Sequence, residues 1–292
     1  MNQVAVSENF DVEVLVDFSQ KNPWKPQYPS HLVRRFLNEL VSKRDLIFDF
    51  HDDNGRVASA VLLDKVNNPA NDACLEILGL RADIDPRAIV REFLELAKEK
   101  VSVNRSGFQF ALPQNSELNG SFLQELGLQE YYDTYEMKAD LTGIGGYSSE
   151  ITSATMDDCH QVYKVLCEAF AKNPDTSITD IEAWKKNFLK SPDSFFFLWK
   201  DKGDLLGFAN LVVDDNKSGE VRTIGVLPQA RGLGLGYKLL NHCLQKCQEL
   251  DLSECHLTVA VTNHKALGIY LRSGFKTVEK FKCYRMSLNK GL

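Results

Sequence analysis

The chain has 292 residues, 43% of them hydrophobic and 25% charged, which is typical of a globular protein with room for two domains. It contains no run of about 18 apolar residues and does not begin with the basic-then-apolar order of a signal peptide, so we expect a cytoplasmic protein with no membrane partner. Residues 1–147 hold 15 basic against 23 acidic residues, and the seven cysteines complete no ligand motif, so we expect no nucleic-acid partner and no metal ion.

The hydrophobic pattern of the first half predicts strands alternating with single helices. The predicted strands are 12–17, 46–50, 57–63, 73–80, 108–112 and 131–141, with a turn at 53–55. The predicted helices are 31–43, 86–100 and 115–126. Asp85 and Pro86 are typical of a helix start, and the prolines at 23, 26 and 29 indicate a loop.

The second half repeats this order. Its predicted elements are helices 158–171 and 179–189, a hairpin of strands 195–200 and 205–213, strand 220–227, helix 237–250, strand 255–261, helix 265–273 and strands to 288. The numbers of Gly203 and Gly55, of Asn263 and Asn115, and of Tyr270 and Phe122 each differ by 148. Such a coincidence predicts an internal duplication, with a glycine-rich linker at 143–146 and domains at 1–146 and 147–292.

A glycine-rich loop joins strand 220–227 to the following helix. Gly232, Gly234 and Gly236 alternate there, which favours positive φ angles and lets several backbone N–H groups converge on an anion at the helix start. The spacing fits neither a P-loop nor the dinucleotide fingerprint. A flexible connection without a ligand is the alternative that the loop alone leaves open.

The frame around this loop resembles the GNAT superfamily of N-acetyltransferases. Arg231, Gly234 and Gly236 fill the family's Arg/Gln-x-x-Gly-x-Gly/Ala motif for coenzyme A, and the segment from Asn263 through Tyr270 to the Gly274–Phe275 pair resembles a second family motif. The resemblance covers about residues 147–292. It implies an α/β fold of two GNAT-like domains in tandem, each with a mostly antiparallel central sheet, a splayed strand pair and flanking helices.

The first half departs from the family motif where chemistry would need it. No glycine loop follows strand 73–80, Asp83 and Asp85 would repel a diphosphate, and Phe122 stands in the place of Tyr270. We therefore expect residues 1–146 to be a degenerate, catalytically silent GNAT-like domain.

The resemblance implies acetyl-CoA as the co-substrate, with its pantetheine arm on the strand before the loop and its diphosphate on the loop. Arg231 would add a charged guanidinium fork, and Gly225 would permit a bulge in the strand. Asn263 has two compatible roles, pantetheine contact and helix N-cap. The expected coenzyme-binding residues are Ile224, Gly225, Val226, Arg231, Gly232, Leu233, Gly234, Leu235, Gly236, Tyr237 and Asn263.

For catalysis, the resemblance assigns Tyr270 as the donor to the leaving thiolate. Glu220 opens the strand where histone-modifying relatives carry a glutamate base, and a water chain is the alternative. Thr258 stands where ribosomal-protein-modifying relatives place a glutamate, so that route is absent. His256 and His264 receive no role, and Cys283 is expected in the core.

We therefore predict an acetyl-CoA-dependent N-acetyltransferase that transfers an acetyl group to a primary amine of a small molecule or peptide by direct attack in a ternary complex. Two alternatives stay open: a non-catalytic coenzyme-binding or interaction protein, and a transferase of longer acyl groups. The sequence does not identify the acceptor or the oligomeric state.

Overall fold

The computed structural model describes residues 3–7, 11–24, 46–63, 71–101, 104–118, 120–141, 150–171, 181–189, 192–213 and 217–288. The chain divides into two compact units, the first made of residues 1–132 with 281–292 and the second of residues 133–280. Each unit thus includes a strand segment from the other half of the sequence. The predicted linker at 143–146 lies outside the described residues, and the division into domains at 146 and 147 stays a prediction.

The described elements follow in chain order. The strands are β1 (Gln3–Ser7), β2 (Leu46–Asp52), β3 (Gly55–Leu63), β4 (Asp72–Leu80), β5 (Gly107–Pro113), β6 (Gln129–Asp140), β7 (Ile151–Ser153), β8 (Ser194–Asp201), β9 (Asp204–Val213), β10 (Ser218–Val226), β11 (Glu254–Ala260) and β12 (Lys276–Ser287). The helices are α1 (Val12–Lys21), α2 (Pro86–Lys100), α3 (Gly120–Glu125), α4 (Cys159–Phe170), α5 (Ile181–Asn187), α6 (Leu235–Glu249) and α7 (His264–Arg272).

The sheet of the first unit has the strand order β1-β2-β3-β4-β5-β12. Only β4 and β5 are parallel; the other neighbours are antiparallel, and β12 pairs with β5 through residues 281–287. Helix α2 begins at Pro86, where the Asp85 side chain accepts a hydrogen bond from the Arg87 N–H at 2.9 Å. Phe93 of α2 is fully buried with Phe48, Phe108 and Phe110 of the sheet. The predicted helix start is therefore confirmed.

The sheet of the second unit has the matching order β7-β8-β9-β10-β11-β6. Again one pair is parallel, β10 with β11, and the remaining neighbours are antiparallel. Phe196 contacts Trp184 of α5, whereas Phe197 contacts His242 of α6, with ring centroids 5.8 and 4.6 Å apart. Successive residues of a strand point to opposite faces, so α5 and α6 cover opposite faces of this sheet.

The predicted strand at 12–17 is wrong, because these residues form helix α1. The Asp11 side chain caps the helix by accepting a hydrogen bond from the Glu13 N–H at 2.9 Å. Leu15, Val16 and Ser19 form its buried face. The short alternation of apolar and acidic residues that indicated a strand also fits this helical spacing, and the capping aspartate decides between them.

The predicted helix at 115–126 is shorter than expected, since only Gly120–Glu125 is helical. Ser116 lies in a turn, where its hydroxyl accepts a hydrogen bond from the Leu118 N–H at 3.2 Å. The segment predicted as strands up to 288 is the single strand β12. The predicted helix at 31–43 lies outside the described residues, and the other predicted elements are confirmed in type where they are described.

Candidate active site

Strands β10 and β11 run side by side for three residues and then separate. Residues 218–220 pair with residues 254–256; beyond them, among the described strands, β10 pairs only with β9 and β11 only with β6. We call the space between residues 221–226 and 257–260 the β10–β11 gap. It is the splayed strand pair that the fold prediction required, and an unpaired strand edge can take an extended ligand as an added strand.

The backbone of two predicted coenzyme residues faces this gap. The Leu227 N–H donates to the Leu206 carbonyl at 2.9 Å, which is the β9 side of the strand. Because backbone groups alternate between the two edges of a strand, the N–H and C=O groups of Val226 and Ile224 point into the gap. An extended chain with amide groups therefore meets one donor and one acceptor at Ile224 and one donor at Val226, whose carbonyl accepts a hydrogen bond from Arg231.

Gly225 lies between them and serves packing. A Cβ atom there would lie 2.6 Å from Cε1 of the Phe208 ring, so a larger residue would displace that ring. The bulge expected at Gly225 is wrong, because the register shift of β10 lies between Val221 and Thr223. The glycine thus keeps the strand close to the aromatic residues of the β9 side.

The glycine loop, residues 231–237, follows a short 3₁₀ turn at Pro228–Ala230. Gly232 and Gly234 have φ angles of +87° and +77°, which side chains other than glycine rarely adopt. No side chain caps helix α6 at Gly234, and the first helical hydrogen bond runs from the Lys238 N–H to the Gly234 carbonyl at 3.1 Å. Within the described part of the chain, the N–H groups of residues 232–237 have no backbone acceptor, which is the arrangement that binds anions.

Arg231 connects this loop to two other elements. Its Nε donates to the Val226 carbonyl at 3.3 Å and its Nη2 donates to the Ala169 carbonyl at the end of α4 at 2.9 Å. The guanidinium group therefore fixes the start of the loop, a function that the sequence did not indicate. Its predicted contact with a diphosphate stays a prediction.

Side chains of the loop differ in exposure. Leu233 and Tyr237 are exposed by 65% and 41%, so both are accessible to a ligand at the helix start, whereas Leu235 is buried. A Cβ atom at Gly236 would lie 3.5 Å from the Ile269 side chain of α7. The start of α6 therefore lies next to the helix that carries Tyr270.

Tyr270 is half-buried on α7, and its ring lies 5.9 Å from that of Phe275 between centroids. Asn263 begins this helix, where its Oδ1 accepts a hydrogen bond from the Ala266 N–H at 3.3 Å. The N-cap role of Asn263 is thus present, and its coenzyme contact and the catalytic role of Tyr270 stay predictions.

Glu220 is the last residue of β10 that pairs with β11, and it marks the closed end of the gap. Its Oε2 accepts a hydrogen bond from Arg222 Nε at 2.7 Å, and the carboxylate side chain is 29% exposed. His256, its partner on β11, has Nδ1 at 3.1 Å from the Ser218 hydroxyl. Only one carboxylate oxygen is bonded to Arg222, and the role of Glu220 as a base stays a prediction.

Two further carboxylates lie near β11 that sequence reasoning missed. Glu136 of β6 is the cross-strand partner of Thr258. Glu279 of β12 lies near Glu136, and burial together with the Glu136 charge raises the pKa of Glu279. Among the described residues, neither glutamate forms a salt bridge. The signal was hidden because the pairing of β6, a strand of the first half, with β11 leaves no pattern in the sequence.

Cys283 is buried in the first unit, as expected for a core residue, and all seven cysteines are free thiols. The described residues contain no group of three or more His, Cys, Asp or Glu side chains that could hold a metal ion. In the same ranges, no helix has the length and apolar character needed to cross a membrane.

Comparison with known proteins points to one family. The model of the Acetyltransferase (GNAT) family matches residues 159–275, which include the gap, the glycine loop and Tyr270. The mycothiol acetyltransferase of Streptomyces coelicolor is 30% identical over 174 residues, 56% of this chain and 56% of that protein. The N-alpha-acetyltransferase of Sulfurisphaera tokodaii is 29% identical over 152 residues, 48% of this chain and 87% of that protein. The chain thus spans about half the length of the mycothiol enzyme.

Solved structures match over the whole chain. A GCN5-related N-acetyltransferase from Sphaerobacter thermophilus matches with a TM-score of 0.72 at 16% identity, and the match covers 100% of this chain and 97% of that protein's chain. A tandem GNAT protein from the clavulanic acid biosynthesis pathway has a TM-score of 0.65 at 12% identity, with 100% of both chains covered. At these identities the likeness concerns the fold.

Proposed function

We propose that the chain transfers an acetyl group from acetyl-CoA to a primary amine, because residues 159–275 match the model of the GNAT family of acetyltransferases and the whole chain has the fold of a tandem GNAT protein. We place catalysis in residues 147–292 and regard residues 1–146 as a degenerate copy. The free thiols support a reducing, cytoplasmic location.

The observation that carries this proposal is the coincidence of an open strand edge with an uncapped helix start. The diphosphate would bind the N–H groups of the glycine loop, where a helix terminus contributes typically about 0.3–1 kcal/mol per charge. The pantetheine amides would pair with Ile224 and Val226, whose backbone groups point into the gap. One ligand with an anionic end and an amide-bearing arm satisfies both features.

The acyl transfer itself requires a neutral amine. A lysine-like amine with a pKa near 10.4 is about 3.4 units from neutrality at pH 7, which costs roughly 4.6 kcal/mol. Glu220, directly or through water, would take the proton as the amine attacks the thioester carbonyl. Tyr270 would then protonate the thiolate of coenzyme A as the tetrahedral intermediate collapses.

A small molecule or a peptide N-terminus is the acceptor class that we propose. The two relatives are named for acetylation of mycothiol and of alpha-amino groups. Glu136 and Glu279 support a cationic acceptor, since neither forms a salt bridge with a described residue and such carboxylates attract an ammonium group before it loses its proton.

The test is an assay of the purified protein with acetyl-CoA and a panel of amino acids, peptides, polyamines, aminoglycosides and amino-thiol glycosides. Release of free coenzyme A that depends on one amine, with the acetylated product identified by mass spectrometry, is the expected result. Coenzyme binding without transfer to any amine would instead favour the non-catalytic alternative. Faster transfer from a longer acyl-CoA than from acetyl-CoA would show that the longer acyl-CoA is the preferred donor.

A further inference from the structure

The first unit contains a second separated strand pair. Strand β4 pairs with β5 only through residues 72–75, although β4 continues to Leu80 and β5 to Pro113. Beyond Leu75, the edge of β4 on the β5 side is therefore not paired with β5. This is the same geometry that forms the gap beside β10 in the second unit.

That edge is occupied by the chain itself. The Leu80 N–H donates to the Asn22 carbonyl at 3.0 Å, and Pro23 forms an antiparallel bridge with Gly79. The opposite edge of Gly79 and Leu80 pairs with Ser59 and Ala58 of β3. Residues 22–23, which we call the strap, thus lie on the edge that faces β5.

The close approach of the strap depends on Gly79. A Cβ atom at this position would lie 2.9 Å from the Asn22 carbonyl oxygen and 3.0 Å from the Phe18 ring. Helix α1 delivers the strap, since the Asn22 N–H and side-chain amide both donate to the Phe18 carbonyl, at 2.9 and 3.1 Å. Any residue other than glycine would push the strap away from β4.

The strap meets the residues that correspond to the expected pantetheine contacts. Strands β4 and β10 each have nine residues, with glycine at the eighth position, so Gly79 and Leu80 correspond to Gly225 and Val226. The next N–H donates to the hairpin strand in both units, from Arg81 to Val57 and from Leu227 to Leu206. The Leu80 N–H bonded by the strap is therefore the counterpart of the Val226 N–H that faces the gap.

We propose that the strap replaces the coenzyme arm in the first unit, so that the chain binds one coenzyme molecule, in the second unit only. This rests on the proposed function for the assignment of Val226. A peptide carbonyl of the strap takes the hydrogen bond that a pantetheine amide would take, and the first unit keeps its separated strands without a ligand.

Hydrogen exchange of the full chain with and without coenzyme A tests this directly. The amides of residues 77–80 should be protected before coenzyme is added and should not change, whereas those of residues 224–226 should gain protection. Calorimetry should give one coenzyme per chain. Added protection at 77–80, or two coenzymes per chain, would overturn the proposal, whereas the absence of any binding would instead reject the proposed function.

A variant tests the strap itself. Gly79→Val should increase the exchange rate of residues 12–24 and of Leu80 at least tenfold while coenzyme affinity in the second unit is retained. Cys74→Val is the control, because it changes the same strand within the segment paired with β5. If Gly79→Val leaves exchange of residues 12–24 unchanged, the strap does not bind this edge; if the variant fails to fold, the exchange of the parent protein decides.

Discussion

Strands β4 and β10 lead into helices of equal length with different starts. After β4, Arg81 pairs with Asp52 and Asp83, and Asp85 caps α2. After β10, two glycines with positive φ lead into α6 without a side-chain cap. The topology is the same, so the comparison teaches that the two units differ in whether the N–H groups at the helix start are capped, and only the second unit leaves them available for the anion that we propose.

The segments that follow β4 and β10 also differ in how their arginines are paired. Hydrogen bonds to Asp83 and Asp52 raise the pKa of Arg81, and Arg81 in turn lowers the pKa values of both aspartates. The basic residue of the first unit is thus bound by carboxylates of its own unit. In the glycine loop, Arg231 is bound by backbone carbonyls, which leaves its positive charge uncompensated by those bonds.

Giving the second unit the helix start of the first should have the largest effect. Gly234→Asp would place a carboxylate where Asp85 caps α2, so we expect coenzyme affinity to fall at least about 100-fold through repulsion of the diphosphate. Calorimetry measures this loss, and circular dichroism checks the fold. Gly203→Asp, at a positive φ of +92° in the β8–β9 turn, is the matched control and should bind normally. Equal binding by both variants would contradict a phosphate site at the loop.

The next largest effect is expected when Tyr270, the proposed proton donor, is converted to phenylalanine, the residue at the corresponding place in the first half. Phe122 is buried and lies 5.8 Å from the Arg87 and Arg91 guanidinium groups, a packing role that needs no hydroxyl. Tyr270→Phe should lower kcat about 100-fold with little change in the KM for acetyl-CoA, because the thiolate loses its proton donor. Steady-state kinetics measures this, with Tyr131→Phe of the first unit as the control. An unchanged kcat would remove Tyr270 from catalysis.

The third prediction is a smaller loss of coenzyme affinity. It concerns Arg231, which binds backbone carbonyls, whereas Arg81 of the first unit binds carboxylates. Arg231→Lys keeps the charge but cannot span the Val226 and Ala169 carbonyls, so coenzyme affinity should fall roughly tenfold. The dependence of affinity on salt should stay as in the parent, since no charge is lost. Exposed Arg272→Lys serves as the control. Parent-like affinity in the lysine variant would show that charge alone is required.

The smallest effect concerns β12, which contributes to both units. Glu279 has a raised pKa, so its contribution to stability is present below its ordinary pKa of 4.5 and is lost as pH rises through the folded value. Glu279→Gln should therefore be slightly more stable than the parent at neutral pH, by less than about 1 kcal/mol. Urea unfolding of the parent and the variant, from acid to neutral pH, measures the difference in their stability, which should vanish in acid.

Glu130→Gln is the opposite case in the first unit, because Glu130 of β6 forms a salt bridge with Lys282 of β12 at 2.8 Å. Its loss should not stabilise the protein at neutral pH. If Glu279→Gln were destabilising at neutral pH and Glu130→Gln stabilising, the electrostatic contrast between the two parts of β12 would be wrong.

The sequence predicted the features that depend on local chemistry. Glycines with positive φ, the Asp85–Pro86 helix start and the hairpin turns at Gly55 and Gly203 each follow from backbone preferences of the residues themselves. What it could not predict depends on partners distant in sequence. The strap on Gly79, the bonds of Arg231 to Ala169 and the proximity of Glu136 to Thr258 appear only once the sheets are assembled.

The strand segment that closes the first unit has a consequence for synthesis of the chain. The edge of β5 pairs with residues 281–287, which a ribosome makes after every other described strand. During translation the nascent first unit therefore presents a β5 edge without its β12 partner, open to mispairing with other chains, until β12 has emerged. Slow synthesis of the segment between β5 and β12 would prolong that exposure, and a chaperone that shields strand edges would shorten it.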